Sequence, residues 1–221
     1  MASRRDLPFR YPENRHTRRQ QPPHYTRYGS FKKHLRIEFE QKCIYCRRPD
    51  SVHPHDCKNF AVEHYRPKER FPELACDYRN LFYVCSMCNS YKGTYWPQNP
   101  EEPFFPNPCD HVMTEHVRFI DFRVEAKSKH GGFMEEALRL NEETLVSWRK
   151  SHARMIRAFE REIAELKKLK RKLRKRVTRD EHGQEVGRDI ETIEGQIADR
   201  LATLDQLCGT TLAPLDPNAG S

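Results

Sequence analysis

Cys43-Ile44-Tyr45-Cys46 and Cys85-Ser86-Met87-Cys88 form two CxxC pairs with 38 residues between them. Two residues between thiolates let both sulfurs reach one ion without backbone strain, and two such pairs complete the tetrahedron that a structural Zn²⁺ requires. The fold is thereby obliged to bring positions 43–46 and 85–88 together. Between the pairs stands Val62-Glu63-His64, and the second pair runs directly into Asn89-Ser90-Tyr91-Lys92-Gly93. A purely structural zinc site needs none of Glu63, His64, Asn89 or Lys92.

The remaining composition fits a small metal-stapled core. Of the 221 residues, 36% are hydrophobic and 33% charged, lean in apolar side chains for a compact globule. Small domains often need such a staple, and metal binding then contributes directly to folding. The net charge is +8, which speaks to partners rather than to fold, with nucleic acid the leading polyanion and an anionic membrane surface well behind. No apolar stretch approaches the ~20 residues that span a bilayer. The N-terminal residues are polar and basic, with six Arg among positions 4 to 19 and no apolar h-region. We therefore expect a cytoplasmic protein, in whose reducing environment eight cysteines favour metal over disulfides.

Five segments are expected. Residues 1–25 read as a basic extended arm, and a plain disordered tail is an equal reading of them. Residues 26–97 make the zinc-bearing module: a short helix with Ser30 as its N-cap, a strand over 60–65 closed by Pro67, a second strand over 81–84, and a helix opening at Cys88 and limited by Gly93. Residues 98–133 are a Pro-rich linker and irregular segment. Residues 134–207 are a helical hairpin. Its first stripe is Leu145, Trp148, His152, Met155, Phe159, Ile163, Leu166, Leu169, Leu173 and Val177; a turn at Gly183 and Gly187 leads to Ile190, Ile193, Ile197, Leu201 and Leu204. The near-heptad spacing suits either an intramolecular hairpin or a homo-oligomer. Residues 208–221 form a tail.

Val62-Glu63-His64-Tyr65-Arg66-Pro67-Lys68, Asn80-Leu81 and Cys85-Ser86-Met87-Cys88-Asn89-Ser90-Tyr91-Lys92-Gly93 together resemble the HNH nuclease family. The closest similarity is to the PtuB-type subgroup of Septu and some retron anti-phage systems. It covers residues 25 to 97 well and extends loosely through Ala137-Leu138-Arg139-Leu140-Asn141 to Arg149. The resemblance implies an α+β fold, a small zinc-stapled ββα-metal (HNH) module followed by a mostly α-helical C-terminal hairpin. It implies Cys43, Cys46, Cys85 and Cys88 as structural zinc ligands, and Glu63 and Asn89 as ligands of a catalytic Mg²⁺ or Mn²⁺. His64 is then the general base, an imidazole with an ordinary pKa of about 6.5 suiting proton transfer at neutral pH.

Asn80 matches the residue that ties the His-bearing loop in place, and Lys92 would hold the scissile phosphate or offset charge on its leaving oxygen. Many members carry Asp where this chain has Glu63, and the extra methylene bears on Mg²⁺ against Mn²⁺. Adjacent strand residues point to opposite faces, so Glu63 and His64 converge only where the strand twists or ends. The implied activity is metal-dependent hydrolysis of DNA phosphodiesters in anti-phage defence, with an ATPase sensor as partner. Nucleic-acid contacts fall to Arg66, Lys68 and Lys92 and to the helix face bearing Lys167, Lys168, Lys170, Arg171, Lys172, Arg174, Lys175 and Arg176.

Other readings stay open. An RNase, for instance one cutting tRNA, would use the same motif, because these residues address only a phosphate. A non-catalytic zinc finger would bind nucleic acid in a salt-sensitive way without cutting. His53, His55 and Cys57, with Cys109 and His111, read as a polar loop insertion in preference to a second metal site, and Cys76 and Cys208 as ordinary thiols.

Overall fold

A strand rich in β-formers, β1 (Phe60–His64), pairs antiparallel with β2 (Leu81–Cys85), Phe60 facing Cys85 and His64 facing Leu81. This is a computed structural model, and it describes residues 9–51, 59–177 and 183–209. Every residue of β2 is buried, because α1 (Lys32–Glu38) and α2 (Ser86–Lys92) both pack on it. The hairpin is followed directly by α2, which stops at Gly93, where φ is +52°. α2 begins at Ser86, two residues before the expected start, with the extended Cys85 at its N-cap. His53, His55 and Cys57 lie outside the described residues.

Ser30 is not an N-cap. It sits inside a 3₁₀ turn, Tyr28–Phe31, that runs straight into α1, so no extended residue precedes the helix from which a hydroxyl could fold back. Phe31 and Leu35 enter the core, whereas Ile37 faces solvent. A buried ion pair braces this region: Arg36 Nε donates to Asp50 Oδ2 at 2.6 Å, and the Tyr83 hydroxyl donates to the same oxygen at 2.5 Å.

The described part of the N-terminal arm, from Phe9, has no helix or strand until residue 28, yet it is docked. Phe9 and Tyr11 are buried. The Arg18 guanidinium lies over the rings of Phe39, Tyr78 and Phe82 at 4.6–4.9 Å. The buried Glu38 carboxylate fastens the rest. It accepts from the backbone N–H of Arg19 (2.9 Å) and Gln20 (2.8 Å), meets His16 Nε2 at 2.7 Å, and accepts from the Tyr78 hydroxyl at 3.2 Å.

Beyond the proline-rich stretch the chain is more regular than its sequence suggests. α3 (Met113–His116) leads into a second antiparallel hairpin, β3 (Val117–Ile120) with β4 (Arg123–Ala126), and then α4 (Lys129–Ala137). The two-residue turn Asp121-Phe122 has both φ values positive, 47° and 68°, a conformation for which Asn-Gly is the usual signal. No such signal marks this hairpin in the sequence. α4 is N-capped by Ser128, whose hydroxyl accepts from Gly131 N–H at 3.0 Å, and a Cβ at Gly131 would run into the His116 carbonyl.

α5 (Glu143–Val177) and α6 (Gly183–Cys208) form the long hairpin. Ile156, Ile163, Ile193, Ile197, Leu204 and Leu207 are its buried seam. The seam departs from the expected stripe: Met155 and Leu169 are 41% and 45% exposed, and Val146, Arg149 and Ala153 are buried in the first turns. There α5 packs on the β3–β4 hairpin and on Phe9 of the arm, and must turn a different face inward from the one it offers α6. Gly187 lies inside α6 rather than in the turn. Lys170 and Arg174 both pair with Glu194 of α6, at 2.5 and 3.1 Å, in exposed ion pairs that leave a net positive charge on this face. Lys168 approaches Glu165 at 3.8 Å, and Lys167, Arg171, Lys172 and Lys175 are exposed. α6 returns to the module: His152 meets the Leu207 carbonyl at 2.8 Å and Ser51 donates to the Gln206 carbonyl. Among the described residues no helix is long and apolar enough to cross a membrane.

Glu38 yields a test. Burial alone would raise its pKa, but the Arg19 and Gln20 N–H bonds and His16 outweigh that and hold it below the ordinary carboxylate value. A depressed carboxylate stabilises the fold above its unfolded pKa, and that contribution is lost as pH falls through the lower folded value. Acidification through this window should therefore free the arm, and Glu38→Gln should free it at neutral pH at a cost of roughly 2 kcal/mol. Limited trypsinolysis should show faster cleavage at Arg15 and Arg19 while cleavage in α5 is unchanged.

Candidate active site and metal centre

The four predicted zinc ligands converge. Their sulfurs all lie within 4.8 Å of one another, every one is buried, and Cys46 Sγ is 3.7 Å from Cys85 Sγ. Thiolates about 2.3 Å from a tetrahedral zinc lie about 3.8 Å apart, so the cluster has the size the metal demands. Local backbone explains each pair. In the first, Arg47 N–H bonds the Cys43 carbonyl and Cys43 N–H bonds the Arg48 carbonyl, both at 3.0 Å, closing a tight turn in which Arg47 takes a φ of +59°. In the second, Cys85 ends β2 and Cys88 sits in the first turn of α2. Ile44 N–H bonds the Tyr83 carbonyl at 3.2 Å and ties one knuckle to the strand that feeds the other.

Glu63 and His64 occupy the end of β1. Glu63 is buried, with Lys92 Nζ 2.5 Å from its Oε1; beyond that ion contact Oε1 accepts no hydrogen bond among the described residues. Burial pushes the Glu63 carboxyl up to about 6 against the opposing pull of Lys92, so it is ionised at neutral pH. Lys92 also donates to the His64 carbonyl at 3.2 Å. The sequence reading put this ammonium on a phosphate. In the structure it is almost wholly buried and committed to Glu63, since two buried charges in contact relieve each other's desolvation.

Asn89 is half-buried one turn before Lys92, on the same face of α2. The Lys92–Glu63 contact therefore turns the Asn89 face of α2 toward Glu63. A carboxylate and an amide oxygen are hard donors of the kind Mg²⁺ and Mn²⁺ accept, and that donor set fits such an ion.

His64 is half-buried beside them. Its Nε2 lies 3.0 Å from the Ala75 carbonyl. A carbonyl only accepts, so Nε2 carries the proton and Nδ1 keeps its lone pair. Burial holds the His64 pKa below the ordinary histidine value, the Ala75 bond opposing it, and the ring is neutral at physiological pH. Tyr28 packs edge-on against the imidazole at 4.7 Å, with the Lys68 ammonium 4.9 Å over the tyrosine ring. Exposed Arg66 lies 5.3 Å over Trp96.

Asn80 clamps the chain that follows His64. Its Oδ1 accepts from Arg66 N–H at 2.8 Å, its Nδ2 donates to the Arg66 and Leu74 carbonyls, and its own carbonyl accepts from Tyr65 N–H at 2.9 Å. Sequence reasoning missed Ala75 and Tyr28. The first acts through a backbone carbonyl, which no motif displays, and the second comes from a turn 36 positions upstream of His64. Cys109 and His111, offered for a second metal site, do not form one among the described residues; His111 stacks on Phe104 at 4.8 Å.

Two outcomes follow from this geometry. Cys85→Ser should lose zinc and the cooperative thermal transition of the module together, read by metal analysis and circular dichroism, as in a domain whose metal affinity is folding energy. Asn80→Ala should keep its zinc but lose roughly 1–3 kcal/mol of stability from the unmet Arg66 groups, measured by chemical denaturation.

Residues 43–94 match the model of the HNH endonuclease family, described as "HNH endonuclease". The Septu protein PtuB of Bacillus thuringiensis is 32% identical over 102 residues, 46% of this chain and 37% of that protein. The Septu protein PtuB of Bacillus mycoides (strain KBAB4) is 29% identical over 119 residues, 42% of this chain and 39% of that protein. The chain thus spans about two fifths of the length of these curated relatives. No solved structure gives a significant match. Residues 43–94, which hold the four-cysteine cluster, Glu63, His64, Asn80, Asn89 and Lys92, are an HNH endonuclease domain.

Proposed function

We propose that this protein is a metal-dependent endonuclease that hydrolyses DNA phosphodiesters in a bacterial anti-phage defence system. The observation that carries the reading is the Lys92–Glu63 contact at 2.5 Å, which turns the Asn89 face of α2 onto a buried carboxylate next to a neutral histidine. The Glu63 carboxylate and the Asn89 amide oxygen would hold Mg²⁺ or Mn²⁺. When bound, that ion stabilises negative charge on the phosphate and its leaving oxygen.

The rest is work for the protein's own groups. The Ala75 carbonyl fixes the His64 tautomer, so Nδ1 accepts the proton of the attacking water. Asn80 holds the loop that fixes His64. Lys92 orients the Glu63 carboxylate and neutralises it before substrate arrives. Exposed Arg66 and half-buried Lys68, on the chain leaving β1, offer cations to the backbone phosphates. Lys167, Arg171 and Lys172 on the outer face of α5 extend that surface. The four-cysteine zinc site holds α2 in register with β1.

The PtuB relatives are named as Septu proteins, which supports a defence role in the cytoplasm. By the resemblance, an ATPase partner licenses cleavage, with the α5–α6 hairpin as its docking element.

His64→Ala is the direct test, run beside wild type on supercoiled plasmid and on tRNA with Mg²⁺, Mn²⁺ or EDTA. We expect metal-dependent plasmid cleavage, reduced at least a hundredfold in the variant. Cleavage of tRNA alone would make the protein an RNase. Wild-type cleavage that survives in the variant would remove His64 from the chemistry.

A further inference from the structure

Two places after His64 the chain carries an exposed arginine whose backbone is fixed on both sides. Asn80 Oδ1 accepts from Arg66 N–H at 2.8 Å, and Asn80 Nδ2 donates to the Arg66 carbonyl at 3.0 Å. The side chain is held as well. Its guanidinium lies 5.3 Å over the Trp96 ring and 5.8 Å over that of Phe71. A surface arginine ordinarily samples many rotamers, and a ligand that orders it pays in side-chain entropy. At Arg66 that order is built into the free protein.

Trp96 is itself a built shelf. Tyr65 and Phe71 meet it edge-on, at 5.3 and 5.7 Å between ring centres, and Arg70 Nη1 donates to its carbonyl at 3.0 Å. Tyr65 is anchored in turn by its hydroxyl, which donates to the Phe105 carbonyl at 2.9 Å. Arg70 and Phe71 are brought back to Trp96 by a turn on the Pro67 carbonyl, which accepts from both of their N–H groups. A guanidinium over a ring engages through its charge and its face, and that contact does not consume the N–H donors along its edge. Among the described residues the Arg66 side chain meets rings, whereas Arg118 and Arg123 direct their donors to Glu125 and Glu143. A planar fork with its edge available matches two oxygens of a phosphate.

We propose that Trp96 is a positioning residue that presets Arg66 as a bidentate clamp on a DNA backbone phosphate at the His64 site. The proposal rests on the nuclease reading and deepens it by naming the element that orders one substrate contact. Trp96 touches no reacting atom; it acts on DNA through Arg66. The segment after α2, which no metal ligand or proton transfer requires, thereby becomes part of substrate binding. The competing role for the pair is simple packing, in which the arginine stem covers an aromatic surface. In that case DNA affinity is indifferent to the guanidinium.

The experiment measures equilibrium binding of a labelled DNA duplex over a range of salt. The parent is the full-length chain with His64→Ala, so that substrate is not cut, and to it are added Arg66→Ala, Arg66→Lys, Trp96→Leu, Trp96→Phe, and Trp96→Leu together with Arg66→Ala. We expect Arg66→Ala to weaken binding roughly tenfold and to lower the salt slope by about one. Arg66→Lys should keep the slope and lose part of the affinity, because an ammonium lacks the fork. Trp96→Leu should weaken binding roughly fivefold with Arg66 present and leave it unchanged in the Arg66→Ala background, the coupling a double-mutant cycle isolates. Trp96→Phe, which keeps a ring, should restore most of the loss. An equal loss from Trp96→Leu in both backgrounds makes the tryptophan merely structural and overturns the proposal. Unchanged affinity and slope in Arg66→Ala overturns it too, leaves the nuclease reading standing, and does not depend on whether the Trp96 variants fold. A parent protein that binds no DNA overturns that reading and the proposal together.

Discussion

The convergence of four buried thiolates is the constraint on which the rest of this structure depends. The β1–β2 hairpin is only five residues long on each side, and an isolated hairpin of that size is marginal in water. Drawing the 43–46 turn against the junction of β2 and α2 fixes the hairpin, the helix and their angle at once. Asn89 follows the last cysteine directly, so the cysteine cluster also sets where the proposed metal ligand sits. Glu63 and Lys92 complete the coupling from the other side, because their buried ion pair holds one face of α2 on the strand end.

Two further parts of the chain lean on this core. The arm threads across it with Arg18 laid over three aromatic rings and Glu38 collecting the arm's backbone N–H groups. On the other side, β3–β4 brings Phe119 and Phe122 to Arg149, and α5 carries the hairpin outward for about 50 Å at 1.5 Å per residue. The nuclease-like module thus lies between a basic arm and a long helical lever.

The catalytic geometry divides its work between side chains and backbone. His64 owes its tautomer to a main-chain carbonyl, and the chain leaving it owes its course to Asn80, which meets Arg66 through both ends of its amide. Glu63 is kept charged near neutrality by a lysine that the motif alone assigned to substrate. In the structure that ammonium is enclosed beside the carboxylate, where the two charges relieve each other's desolvation.

The zinc ligands, both strands of the first hairpin, the short α2 and the presence of a long helical pair were legible in the sequence. They rest on local rules, namely ligand spacing, β-propensity, a helix-ending glycine and 3.6-residue periodicity. The arm's docking, the β3–β4 hairpin and the inward face of α5 were not. The arm is polar and proline-rich, so its anchoring depends on a carboxylate and on rings from distant segments. The second hairpin turns through Asp121-Phe122, which lacks the usual signature and keeps its shape through packing. Met155 and Leu169 read as core by periodicity but face out, while Arg149, outside the apolar stripe, is fully buried. The sequence determined the chemistry at the site, because residue type and spacing set which atoms can bind metal or move a proton. Only the tertiary structure decided which charges meet, because burial, and the pairing it enforces, belongs to no single segment.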